Sequence, residues 1–392
     1  MPRRRRAPGH RKDRNANHVR LCHDRCMITR LRSLTIQWTF LVPVLAVVLL
    51  ALTWGRGLPG AVVALVTVVL AGSVLAAVHH AEVVAHRVGE PFGSLVLAIA
   101  VTVIEVALIV TLMADGGAKS ATLARDTVFA AVMITCNGVV GLCLLVASLR
   151  HGTAVFNPEG TGAALSTVAT LSTLSLVLPT FTTSKPGPEF SGLQLTFAAL
   201  SSLILYGLFV ATQTVRHRDY FLPITRQGEV ITLDDHAAAP SARTAWISLG
   251  MLGLALVGVV GLAKGVSPTI ESGVEAAGLH QAVVGVIIAL LVLLPETIAA
   301  LRSARRDRVQ TSLNLALGSA MASIGLTIPA VALASVWLSG PLVLGLSSTH
   351  MLLFALTVVV SSLTVVPGRA TPLQGGVHLV IFAAYLELAI NP

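Results

Sequence analysis

Long apolar runs separated by short polar interruptions dominate the chain. Runs near 20 residues occur eleven times, at about 34–54, 59–78, 92–113, 127–148, 161–181, 193–215, 245–266, 281–300, 309–337, 341–366 and 375–391. Each is long enough to cross the hydrocarbon core of a bilayer as a helix. The runs are continuously apolar rather than alternating, which excludes a membrane β-barrel. The pattern predicts an all-α integral membrane protein with about eleven transmembrane helices. The longest polar stretch, 216–244, falls after the sixth run and reads as a linker between two halves.

Composition agrees with the pattern. Of 392 residues, 54% are hydrophobic and 11% charged, whereas a soluble domain carries roughly 25% charged residues. Charge is also unevenly spread. The first 32 residues hold 11 of the 27 Lys and Arg, with only Asp13 and Asp24 against them. With the N-terminus inside, the inner connections collect 22 basic residues and the outer ones 5. Positive charge marks the cytoplasmic side, so the expectation is a cytoplasmic N-terminus and an outer C-terminus. The basic tail is expected to fix topology or lie on anionic lipid. Residues 1–32 contain no Phe, Tyr or Trp to stack on bases, which argues against nucleic acid as a partner. The His18, Cys22, His23, Cys26 spacing is only loosely metal-like, and Met27 is a second candidate start.

The two halves resemble each other. Ala100-Val-Thr-Val-Ile-Glu105 on span 3 has a counterpart in Leu291-Val-Leu-Leu-Pro-Glu296 on span 8. Each is followed by an Arg-Asp-x-Val run, at Arg125 and at Arg306. The following spans carry Asn137-Gly138 in one half and Asn314, Gly318 and Ser319 in the other. An offset of five spans gives the two units opposite orientations. One extra helix plus two inverted five-helix repeats is the layout of many secondary transporters, whose sites lie where the repeats meet.

Glu105 and Glu296 stand well inside strong apolar runs, about 20 Å along a helix from the ends where those runs begin. An intramembrane carboxylate is costly and therefore functional by default. Hard cations want oxygen ligands, and two carboxylates neutralise one divalent ion. Without the cation, desolvation and mutual repulsion favour proton uptake. One pair of groups that holds either cation or protons is the core of a cation/proton antiporter. Supporting positions are Thr102, one turn from Glu105, and Pro295, which frees a carbonyl one turn earlier. Asn137 and Asn314 add amide oxygens. Ser312, Ser319, Ser323 and Thr327 give span 9 a polar stripe, although such hydroxyls also serve helix packing. Ser166, Thr170 and Thr173 on span 5 are less specific.

Other polar residues read as less informative. Glu387 lies near the end of the last span. His79, His80 and His86 fall in an inner connection with Glu82 and Glu90. His350 and His378 are expected to pack, and Cys136 and Cys143 to fill apolar space. No Walker A run, nucleophile elbow or HExxH occurs, so the signatures of an ATP-driven pump or a membrane hydrolase are missing and no enzyme is expected.

These residues carry a resemblance. His86-Arg-Val-Gly-Glu-Pro-Phe-Gly93 through Val103-Ile-Glu105-Val, with Asn137-Gly-Val-Val-Gly141, resembles the bacterial calcium (sodium, potassium)/proton antiporter branch of the cation/calcium exchanger superfamily. So do Leu294-Pro-Glu296-Thr, Asn314-Leu-Ala-Leu-Gly-Ser-Ala320, Ser323-Ile-Gly-Leu-Thr-Ile-Pro329 and Leu373-Gln-Gly-Gly-Val-His378. The likeness covers roughly residues 75–392. It implies two inverted repeats, each offering one glutamate to cations and protons, inner-membrane residence, and cation export driven by the proton gradient. The superfamily's Gly-Asn before the first glutamate is here Ala100-Val-Thr-Val-Ile, which shifts ligation toward Thr102 and span 9.

The expected organisation is a basic tail (1–33), an extra helix (34–54), a first repeat (55–215), a linker (216–244) and a second repeat (245–392). The expected activity is export of cytoplasmic cations, Ca2+ first, in exchange for protons, with Na+ or K+ as the alternative. A cation channel is the alternative from a different class. The ions are cargo, and no cofactor is expected.

Overall fold

The computed structural model describes residues 38–56, 58–89, 92–116, 121–224, 240–278, 280, 282–338 and 340–391. The basic tail, its His/Cys cluster, Glu90 and most of the linker lie outside these residues. Eleven helices follow the eleven apolar runs: α1 (Trp38–Thr53), α2 (Gly60–Val88), α3 (Phe92–Gly116), α4 (Leu123–His151), α5 (Pro158–Phe181), α6 (Gly192–Arg216), α7 (Ala242–Ala276), α8 (Ala282–Arg305), α9 (Val309–Ala334), α10 (Ser348–Val365) and α11 (Pro372–Ile390). Among the described residues ten are long and apolar enough to span a membrane, and α1 is shorter.

Local chemistry sets several of the ends. Asn157 caps α5 by accepting from Glu159 N at 2.9 Å, with Pro158 in the first turn. Reciprocal Ser191–Gln194 and Thr371–Gln374 boxes open α6 and α11. The tight turn from α8 to α9 runs through Asp307 at φ 60°. A two-stranded antiparallel pair, β1 (Ala154–Val155) with β2 (Arg369–Ala370), ties the end of α4 to the start of α11.

Three spans depart from expectation, one of them α7, which continues ten residues past the end of its apolar run at 266, to Ala276. Helix α2 continues ten residues past the end of its apolar run, to Val88, so His79, His80, Glu82 and His86 lie on a helix rather than in a connection. The residues 79–88 are less apolar but still helix-forming, and His80, Ala81 and Ala85 face the interior. Helix α10 begins at Ser348, not near 341. The segment before it runs extended, with Val343 N bonded to Ala121 O at 3.1 Å, Gly345 N to Pro188 O at 3.0 Å and Leu346 N to Leu176 O at 2.8 Å. Leu344 and Leu346 are buried there. Hydropathy reports their burial but not their backbone shape.

Two apolar cores share the bundle. One joins α2, α3 and α7 with faces of α1 and α8. The other joins α4, α5, α6, α9, α10 and α11 with the opposite face of α8. Helices α3 and α8 contribute to both and thus sit at the seam. Backbones approach closely where glycine allows it. A methyl group on Gly141 of α4 would come within 2.9 Å of His378 Cβ on α11, and one on Gly325 of α9 within 2.8 Å of Tyr206 Cβ on α6. Neighbour relations recur at an interval of five: α6 packs on α9 as α11 packs on α4, and α3 packs on α9 as α8 packs on α4.

Candidate functional site

At the seam a cavity of about 250 Å³ is walled by α3, α6, α8 and α9. Glu105 and Glu296 both line it, together with Thr102, Asn314, Ser319 and Ser323. Six of the residues singled out from the sequence therefore converge on one space, from three helices, whereas Asn137, Pro295, Ser312 and Thr327 do not line it.

Glu105 is buried, 4% exposed, and its Oε1 accepts a hydrogen bond from Ser323 Oγ at 2.6 Å. Thr327, one turn further along α9, is fully buried. Glu296 differs. Its Oε2 is buried and has no hydrogen-bond partner among the described residues. Leaving a carboxylate oxygen buried and unpaired costs more than the bond it forgoes, so this atom is suited to an incoming ligand. Pro295 sits inside α8 immediately before it and supplies no N–H to the turn above.

The lining also has a direction. On α3 it runs from Leu97 to Glu105, on α9 from Thr311 to Ser323, on α6 from Tyr206 to Gln213. Among the described residues, nothing beyond Glu105 on α3 or Ser323 on α9 lines it. The cavity therefore reaches from mid-helix toward the bundle end where α6 finishes and α9 starts.

The two asparagines part company. Asn314 lines the cavity, but its amide is spent at the mouth: Nδ2 donates to Phe221 O at 2.6 Å and Oδ1 accepts from Gln310 Nε2 at 2.9 Å. Asn137 lies in a wide π-turn of α4 (Ile134–Val139) and is fully buried. It donates to Thr357 Oγ1 at 2.9 Å and its Oδ1 pairs with His378 Nδ1 at 3.1 Å. It does not line the cavity, because α10 and α11 cover that face of α4. The hydroxyl stripe of α9 also divides. Ser319 and Ser323 face the cavity, whereas Ser312 donates to Ala300 O at 2.8 Å and packs α9 onto α8. Ser166, Thr170 and Thr173 face outward and bond their own helix. Glu387 is exposed and accepts from Asn391.

Sequence reasoning passed over Tyr206, Gln213 and Thr311, which also line the cavity. The last two lie near helix ends, where a polar residue reads as a boundary; the signal was hidden by position. Among the described residues no three His, Cys, Asp or Glu side chains cluster in a metal-binding arrangement. Two carboxylates and neutral oxygens remain, a donor set for hard cations.

Comparison with known proteins gives a consistent family. The family model for sodium/calcium exchanger proteins matches residues 58–215 and 247–391. The chain is 46% identical over 363 residues to the putative ionic transporter y4hA of Sinorhizobium fredii (strain NBRC 101917 / NGR234), covering 91% of this chain and 96% of that one. It is 34% identical over 356 residues to the sodium-potassium/proton antiporter ChaA of Escherichia coli (strain K12), covering 89% and 95%. Among solved structures, the H+/Ca2+ exchanger CAX aligns with TM-score 0.68 at 15% identity, over 90% of this chain and 88% of that one. Native YfkE aligns with TM-score 0.66 at 16% identity, over 91% and 99%. At these identities the structural matches speak to fold.

Proposed function

The chain belongs to the sodium/calcium exchanger protein family, and on that premise we propose that it is a secondary antiporter that exports cytoplasmic cations in exchange for protons. The observation that carries this reading is the pair Glu105 and Glu296 lining one membrane-embedded cavity, with one carboxylate oxygen of Glu296 left unpaired. A cation that enters displaces the protons held there. Protons arriving from the other side later displace the cation. Neither species is comfortably held together with the other, and that exclusion couples the two fluxes.

The protein is read as resident in the cell (inner) membrane with the N-terminus cytoplasmic and the C-terminus outside. The cavity reaches the bundle end that carries the 216–244 connection, the side that basic residues assign to the cytoplasm. The conformation is accordingly read as open to the inside. Two inverted repeats are supported by the family match in two segments that flank the connection and by packing relations that recur every five helices.

Calcium is the first expected cargo on the argument of two carboxylates per divalent ion. The 34% identical relative is named a sodium-potassium/proton antiporter, and that supports Na+ and K+ as the second reading. A panel of Ca2+, Na+ and K+ in everted vesicles with a pH-sensitive dye separates them. Cation-dependent release of the proton gradient is expected for at least one ion. Cation passage without proton countermovement would overturn the exchange reading in favour of a channel. Cysteine labelling should find the 216–244 connection inside and the 114–126 connection outside; finding both on one side would sink the inverted arrangement.

A further inference from the structure

The two acids and the α9 hydroxyls leave one wall of the cavity unexplained. That wall is α6, which contributes Tyr206, whose Cβ and ring lie against Gly325, and Gln213. Gln213 lies in a π-turn, Thr212–Arg216, at the end of α6. Such turns insert a residue and re-aim side chains. The flanking threonines spend their hydroxyls on their own helix, Thr212 on Leu208 O at 2.8 Å and Thr214 on Val210 O at 2.6 Å. The Gln213 carboxamide, in contrast, makes no hydrogen bond to any described residue.

Its depth follows from two contacts. Helices α6 and α9 run antiparallel, and Tyr206 lies against Gly325. Seven residues onward along α6 is Gln213, and seven residues back along α9 is Gly318. A methyl group on Gly318 would meet nothing within 4 Å, so the space before Gln213 is open. Helices α8 and α9 are also antiparallel, and Ser312 bonds Ala300 O. Stepping one turn back to Glu296 brings α8 to the level of Ala316 on α9. Gln213 and Glu296 therefore sit within about 3 Å of the same depth, on opposite walls of one cavity, and both are unpaired.

We propose that Gln213 is a third cation-binding side chain, which offers its carboxamide oxygen to a hard alkali or alkaline-earth cation across from Glu296. This rests on the antiporter reading and deepens it. A neutral oxygen there limits the negative charge around the ion to two carboxylates and helps set the preference between monovalent and divalent cargo. When the ion leaves, the amide N–H groups face a carboxyl that has taken up a proton.

The test uses purified full-length protein in proteoliposomes, with Na+, K+ and Ca2+ as the probes. Gln213→Leu should raise the cation KM about tenfold or more and largely keep the maximal rate. Gln213→Glu, nearly the same shape, should shift preference toward Ca2+ over Na+ and K+, a change that a merely structural role would not produce. If Gln213→Leu fails to insert, the selectivity of Gln213→Glu decides alone. Glu105→Gln and Glu296→Gln run beside them. Unchanged KM and selectivity in both Gln213 variants, with both glutamine variants inactive, overturns this inference and leaves the antiporter reading intact. Active glutamine variants would instead overturn the antiporter reading.

Discussion

Glu105 and Glu296 hold matching places in the two halves of the chain and line one cavity, yet their surroundings differ. Glu105 meets a hydroxyl already in place, Ser323 at 2.6 Å. Glu296 keeps a buried oxygen without a partner. The helices that follow each acid differ in the same way. Aligning the two Arg-Asp-x-Val runs sets the cavity-lining Ser319 and Ser323 of α9 against Gly138 and Leu142 of α4. Helix α9 is thus equipped for the cavity, and α4 for close packing on α11 through Gly141 and Gly375. Of these two helices, one puts hydroxyl groups on the cavity wall and the other packs tightly against its neighbour.

The largest expected effect would erase the difference. Glu105→Gln and Glu296→Gln each keep shape but remove the ionisable group, so neither variant can alternate between cation and protons. Each should reduce exchange to background in the vesicle assay while insertion is retained, because an amide is easier to place in lipid than a carboxylate. Near-normal exchange by either would remove that residue from the mechanism.

Aspartate variants should separate the two sites. Each retracts the carboxylate by one methylene. At 105 this also pulls the oxygen away from the Ser323 hydroxyl, whereas at 296 no bond is lost. Glu105→Asp should therefore weaken cation affinity more than Glu296→Asp, with both retaining partial exchange. Equal losses would mean that the Ser323 bond contributes nothing in the transport cycle. In both variants, as in the parent, cation transport should fall as cytoplasmic pH drops, because protons compete for the same oxygens.

Ser323→Ala comes next in size. A hydrogen bond to a charged group contributes about 1.5–3 kcal/mol, so the cation KM should rise roughly tenfold or more. The change should resemble that in Glu105→Asp, and the two together should add little beyond the larger one. Full additivity would show that Ser323 acts independently of Glu105.

Much of this was legible in the sequence, and the part that was not has a common cause. The helices follow from uninterrupted apolar runs, and Glu105 and Glu296 are conspicuous because ionisable residues rarely sit in them. The ends of α2 and α7 and the start of α10 were misread because hydropathy measures burial rather than backbone shape. Asn137 and Asn314 look alike in sequence, each on the span after an Arg-Asp-x-Val run. Which one reaches the cavity depends on Thr357, His378 and Phe221, more than 90 residues away in each case. Gln213 was hidden because polar residues near a span end are ordinary.

The smallest expected effect on transport is that of Asn137→Leu, and it tests the packing role assigned to α4. Asn137 is fully buried and joins α4 to Thr357 of α10 and His378 of α11. Its removal leaves both partners short of one bond each, although Thr357 still donates to Leu353 O and His378 Nε2 still faces Thr364 Oγ1 at 3.3 Å. Buried groups that lose a partner cost about 1–3 kcal/mol, so thermal unfolding in detergent should shift down by a few degrees. Because the residue does not line the cavity, the cation KM of the folded fraction should stay at the parent value. Asn137→Asp keeps the size and the Oδ1 acceptor, and it brings an acidic group into a wall that holds no cation to neutralise it. It should be at least as destabilising as leucine and equally silent in KM. A large rise in KM with unchanged thermal stability, in either variant, would place Asn137 at the transport site and would restore the symmetry between α4 and α9 that the cavity now denies.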